Sequence, residues 1–79
     1  MHITTAGNVL IPAIKLIKEL GYQLKFENNC FTAERNDDIF TAEDPIYLLG
    51  LIKLIEIRGE NWRVDDDECE KIGKEYEIL

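Results

Sequence analysis

The sequence predicts an α+β fold, a three-stranded antiparallel meander packed on one face by three helices, in the order (β)αβββαα. Three observations predict it. Leu10, Ala13, Ile14, Ile17 and Leu20 recur at spacings of three and four, one face of an amphipathic helix. The tetrapeptide FTAE occurs at Phe31 and again at Phe40, nine residues on, within a stretch of apolar and polar alternation. Asp44 and Pro45 then open PIYLLGLIKLIEIRG, a run apolar nearly all round. At 79 residues the chain is long enough for one small core and no more, so residues 1–79 read as a single domain.

Taken in order, His2 to Thr5 read as a short edge strand, a fourth for the sheet, because Ile3, Thr4 and Thr5 favour extended structure. The first helix begins at Asn8 or, with Pro12 at its first position, at Pro12, and Gly21 ends it as a C-cap. Val9, Ile11 and Leu16 widen its apolar stripe beyond what one sheet contact needs. In YQLKFE, Tyr22, Leu24 and Phe26 alternate with Gln23, Lys25 and Glu27 as a half-buried strand.

Asn28-Asn29 reads as a two-residue turn, since asparagine tolerates the positive φ that tight hairpins demand. That turn sets Phe26 opposite Phe31 and Leu24 opposite Ala33. A four-residue loop over Arg35 to Asp38 sets Ala33 opposite Phe40, Thr32 opposite Thr41, and Phe31 opposite Ala42. Both copies of FTAE then present Phe and Ala to one face, and shortening the loop by one residue would turn Phe40 and Ala42 outward. The repeat is therefore a strand pattern rather than a duplicated unit, whose period would normally be longer.

Asp44 as N-cap and Pro45 at the first turn start the central helix, and Gly59 closes it. Lys53 and Glu56 mark its narrow wet edge, and Gly50 within it suggests the close packing of another backbone. After the ENWRV loop, Asp65 and Glu68 make a capping box, with Val64 and Cys69 at the positions of a hydrophobic staple. Cys69, Ile72, Tyr76 and Leu79 form the inner stripe of a last helix. If that stripe is core, cutting the chain after Gly59 leaves a poorly soluble fragment.

Nine basic and sixteen acidic residues give a formal net charge of -7, which disfavours nucleic acid and anionic membranes as partners and suits a basic protein surface. The longest apolar stretch, Ile46 to Ile57, is too short and too interrupted to span a bilayer. The opening MHITTAGN lacks a basic start and a following apolar run, so the expected location is cytoplasmic, with Cys30 and Cys69 reduced.

The groups that chemistry needs are sparse. Serine is absent, His2 is the one histidine and lies at a terminus, and neither cysteine stands in a CxxC or Cys/His spacing. The acidic run Asp65 to Glu70 lacks the alternate ligands and turn glycine of a calcium loop, and the glycines are scattered singly rather than gathered around a phosphate. No cofactor, metal or catalytic residue is expected.

What remains is binding. Trp62 and Arg63, in a polar loop, are residue types common at interface hot spots, although a lone tryptophan also packs over a core edge. Lys25, Thr32, Glu34, Thr41 and Glu43 line the sheet face away from the helices, and the third strand offers an edge for pairing. In size and acidity the chain is reminiscent of immunity proteins and antitoxins, a likeness of composition alone. The reading is a non-enzymatic, acidic protein-binding module. The alternative is a structural or assembly protein that forms a homo-oligomer through its surplus apolar helix surface. A small carboxylate-dependent enzyme or ligand carrier using Glu34 and Glu43 comes third.

Overall fold

The computed structural model describes residues 1–78. Helix α1 (Leu10–Glu19) leads into strands β1 (Gln23–Glu27), β2 (Cys30–Arg35) and β3 (Asp38–Ala42). Helix α2 (Pro45–Arg58), a 3-10 turn (Gly59–Asn61) and helix α3 (Asp66–Glu75) follow. The fold is α+β, with one antiparallel sheet in the order β1-β2-β3. Among the described residues, His2 to Thr5 form no strand. Thr4 instead closes a turn, its carbonyl accepting from the Gly7 N–H at 3.2 Å and its hydroxyl from the Ala6 N–H at 3.3 Å.

The strand register is the one the apolar alternation requires. Phe26 opposes Phe31, Leu24 opposes Ala33, Ala33 opposes Phe40, Thr32 opposes Thr41, and Phe31 opposes Ala42. Asn28 and Asn29 both take positive φ, 53° and 61°, as a two-residue hairpin demands. The second connection is tighter than the expected four residues. Arg35 pairs with Asp38, which leaves Asn36 and Asp37 as the turn, with Asn36 at φ 56°. The tighter turn adds the pair Arg35 and Asp38 without shifting the register, so every side chain keeps its face.

Helix α1 starts at Leu10, which puts Pro12 in its first turn, where a missing N–H removes no intrahelical bond. It ends in a Schellman motif. The Gly21 N–H donates to the Lys18 carbonyl at 3.0 Å, and the Tyr22 N–H donates to the Ile17 carbonyl at 3.3 Å. Gly21 holds φ at 96° there, a conformation side chains resist. Asp44 caps α2 by accepting from the N–H groups of Ile46 and Tyr47 at 2.8 and 2.9 Å.

The core lies between the sheet and α1 with α2. Ile17, Ala33 and Leu48 are fully buried, Ile52 and Tyr22 nearly so, and Leu24, Phe31, Phe40, Ala42 and Leu49 pack around them. Tyr22 meets Phe40 edge-on at 6.0 Å. Phe26, on the same sheet face, is 61% exposed, because the hairpin tip runs past the helices; its ring lies 4.7 Å from that of Phe31.

Two further expectations fail. A Cβ built on Gly50 meets nothing within 4 Å, so no backbone packs against that glycine, which faces outward. Helix α3 makes no extended contact with the sheet or the other helices. Cys69, Ile72 and Tyr76 are exposed rather than core, while Leu79 lies outside the described residues. The thin stripe of α3 is served locally instead. Val64, Cys69, Ile72 and Ile78 border one small hollow, and the Ile78 N–H reaches back to the Gly73 carbonyl at 2.7 Å.

Candidate functional site

Alternation along β1, β2 and β3 brings four of the expected interface residues onto the helix-free face. Lys25, Thr32 and Thr41 form one row across the three strands, and the Thr32 and Thr41 hydroxyls lie 3.2 Å apart. Glu34 sits in the next row, between Gln23 and Ile39. Glu43, the fifth, lies in the bend just after β3, one residue beyond the last paired residue, Ala42. Lys25, Glu34, Thr41 and Glu43 are exposed, and Thr32 is half-buried beneath its neighbours. Ile39, 63% exposed in this face, belongs with them; the alternation that turns Phe40 inward turns Ile39 out.

Trp62 and Arg63 are not part of that face. They follow the 3-10 turn, which continues directly from the C-terminus of α2. The Arg63 guanidinium lies 4.2 Å over the Trp62 ring, and the Arg58 Nε–H donates to the Trp62 carbonyl at 2.9 Å. The indole is 36% exposed and lies outside the core cluster, so its partner within the chain is a cation rather than the core edge.

Arg35, read from sequence as a loop residue, holds two elements together. Its Nη1 donates to the Leu20 carbonyl at the end of α1, at 2.6 Å, and its guanidinium lies 4.3 Å over the Tyr22 ring. The signal was available in the position: a cation on the strand end nearest a helix C-terminus.

The helix layer carries a second surface. Leu16 and Leu20 of α1 face Leu49, Ile52, Lys53 and Glu56 of α2 across an open groove of about 370 Å³. Away from that groove α2 exposes Leu54, 37%, and Ile57, 71%, while Tyr47, 69% exposed, borders a second hollow with Val9, Leu10 and Ile46. On α1, Ile11 is 64% exposed. The surplus in Ile11 and Leu16 was legible in the sequence. The outward stripe of α2 was hidden by its near-uniform apolarity, which marks no side as outer.

Among the described residues, no group of three or more His, Cys, Asp or Glu side chains is placed to hold a metal ion. None of their buried side-chain polar atoms lacks a partner. No described helix is long and apolar enough to cross a membrane. No family model, curated protein or solved structure matches this chain.

Proposed function

We propose that this chain is a non-enzymatic protein-binding module, whose work is done by contact with other protein surfaces. One observation carries the reading. The chain exposes 6766 Å², whereas a folded monomer of 9.2 kDa exposes about 4,900 Å². The difference of about 1,900 Å² exceeds the roughly 800 Å² that each partner contributes to a standard interface. Part of it comes from residues 1–9 and α3, and part is the apolar flank of the helix layer.

Two surfaces fit the two kinds of partner. The sheet face, with Glu27, Glu34 and Glu43 around the lone Lys25, suits a basic protein, which complementary charge would steer toward it. The outward stripe of α2 favours the assembly reading, since a contiguous apolar surface is costly to leave in water.

The test is affinity capture by the wild-type protein and two surface variants, followed by titration of any identified basic protein with added salt. The double variant Glu34→Lys/Glu43→Lys is expected to lose a basic partner, while Trp62→Ala retains it. Binding that survives the double variant and resists salt would refute the sheet-face reading.

A further inference from the structure

The outward stripe of α2 has a spacing that matches itself. Tyr47, Gly50, Leu54 and Ile57 follow one another at three, four and three residues, the seam repeat of a helix that pairs with another helix. Read backwards, the spacing is the same. Two copies of α2 laid antiparallel across a two-fold axis therefore set Tyr47 of each against Ile57 of the other, and Gly50 of each against Leu54 of the other. A two-fold interface needs this property, because whatever one copy presents must fit the same patch on its partner.

The pairing also accounts for Gly50. A glycine inside an exposed helix destabilises it relative to alanine, and within this chain nothing approaches closely enough to require the missing side chain. Opposite Leu54 of a second copy, the gap left by Gly50 becomes a socket for an isobutyl group, and the helices can approach closely at that level. Charge opposes the contact only at long range, through the net charge of -7 on each copy. Lys53 and Glu56 pair with each other at 3.4 Å and both line the groove facing α1, and Lys53, three residues after Gly50 and four before Ile57, also borders the stripe. The apolar surface of the contact comes from Tyr47, Leu54 and Ile57, all exposed, with the open ridge at Gly50 between them.

We infer that the protein forms a two-fold homodimer through antiparallel packing of α2 on α2, with Gly50 receiving Leu54 of the second copy. The inference rests on reading the chain as a protein-binding module and names its first partner. The outer sheet face stays free in such a dimer, so it can still meet a different protein.

Sedimentation velocity with light scattering, over concentrations up to about 100 µM, tests it. The expected mass is twice 9.2 kDa at the top of that range. Two copies of net charge -7 repel through water, so added salt is expected to tighten the dimer, the opposite of its effect on a basic partner. Leu54→Glu is expected to leave a monomer.

Gly50→Gln separates this role from a purely structural one. Glutamine is the better helix former and has open space within the chain, so it should raise the thermal midpoint of the dilute monomer. It should also weaken the dimer at least tenfold by filling the socket. A wild-type monomer at about 100 µM overturns the inference. So does a dimer that tolerates both variants but is broken by Thr41→Pro, which would place the contact at the free edge of β3. A monomer that still captures a basic protein would end the dimer while leaving the binding-module reading intact; a monomer that captures nothing would end both.

Discussion

Replacing Arg35 with alanine removes a brace that joins the end of β2 to the end of α1. The guanidinium donates to the Leu20 carbonyl at 2.6 Å, one of the acceptors a helix leaves without an intrahelical partner at its C-terminus. A hydrogen bond to a charged group contributes about 1.5–3 kcal/mol when well shielded. The cation near the negative end of the helix adds about 0.3–1 kcal/mol, and the stack on Tyr22 at 4.3 Å about 0.5–1 kcal/mol. These terms overlap, and Arg35 is only half-buried, so solvent screens them. The expected loss is therefore about 1.5 kcal/mol rather than the sum.

For 79 residues the unfolding entropy is about 0.17 kcal/mol/K, which converts that loss into a fall of roughly 9 °C in Tm. Arg35→Lys keeps a charge at the helix end and loses the planar stack, so it should recover about half. The assay is thermal unfolding followed by circular dichroism at one fixed protein concentration, because association shifts Tm by mass action. A fall of less than about 3 °C for Arg35→Ala, or a lysine variant no better than the alanine one, would show that the brace carries no stability.

Three further outcomes follow from the same coordinates. Asp44→Ala deprives α2 of the side chain that satisfies two N–H groups, and denaturant unfolding should show a loss of about 1 kcal/mol, with Asp44→Asn losing much less. Asn29→Gly places the residue with the least resistance to positive φ in the first hairpin, where φ is 61°, and should raise stability by a few tenths of a kcal/mol in the same measurement. Cutting the chain after Arg63 should leave a folded, soluble fragment with most of the native Tm, since α3 covers none of the core; aggregation of that fragment would restore its stripe to the core.

How much of this was legible beforehand depended on what each residue had to satisfy. The meander and its register follow from period-two alternation, because any slip would carry Phe31, Ala33, Phe40 and Ala42 to the wrong face. Asp44 with Pro45, and Asp65 before Glu68, mark helix starts by local chemistry alone; the Glu68 N–H does donate to the Asp65 carboxylate, at 2.8 Å. What failed was whatever depended on distance through space. Gly50 was given a neighbour it lacks, and Cys69 a core it does not reach, because a sequence shows that a face is apolar without showing what covers it. Ile3 to Thr5 had strand propensity, but Thr4 is held in a turn with Ala6 and Gly7 instead. Of the binding residues, the sheet row was legible through the same alternation, whereas the separation of Trp62 and Arg63 from it depends on where the turn after α2 falls.

The order β1-β2-β3 means that each strand pairs only with its neighbour in the chain, through turns of two residues. Such contacts close short loops, and hairpins of this kind form within about 1–10 µs. A chain leaving the ribosome would thus have α1 and both hairpins available before α2 is complete, and would still lack Leu48, Leu49 and Ile52 to seal its interior. Folding should be fast, single-exponential and governed by the arrival of one helix. The same fourteen residues that seal the interior carry the outward stripe, so the surface proposed for a second copy takes shape in the same step that closes the core.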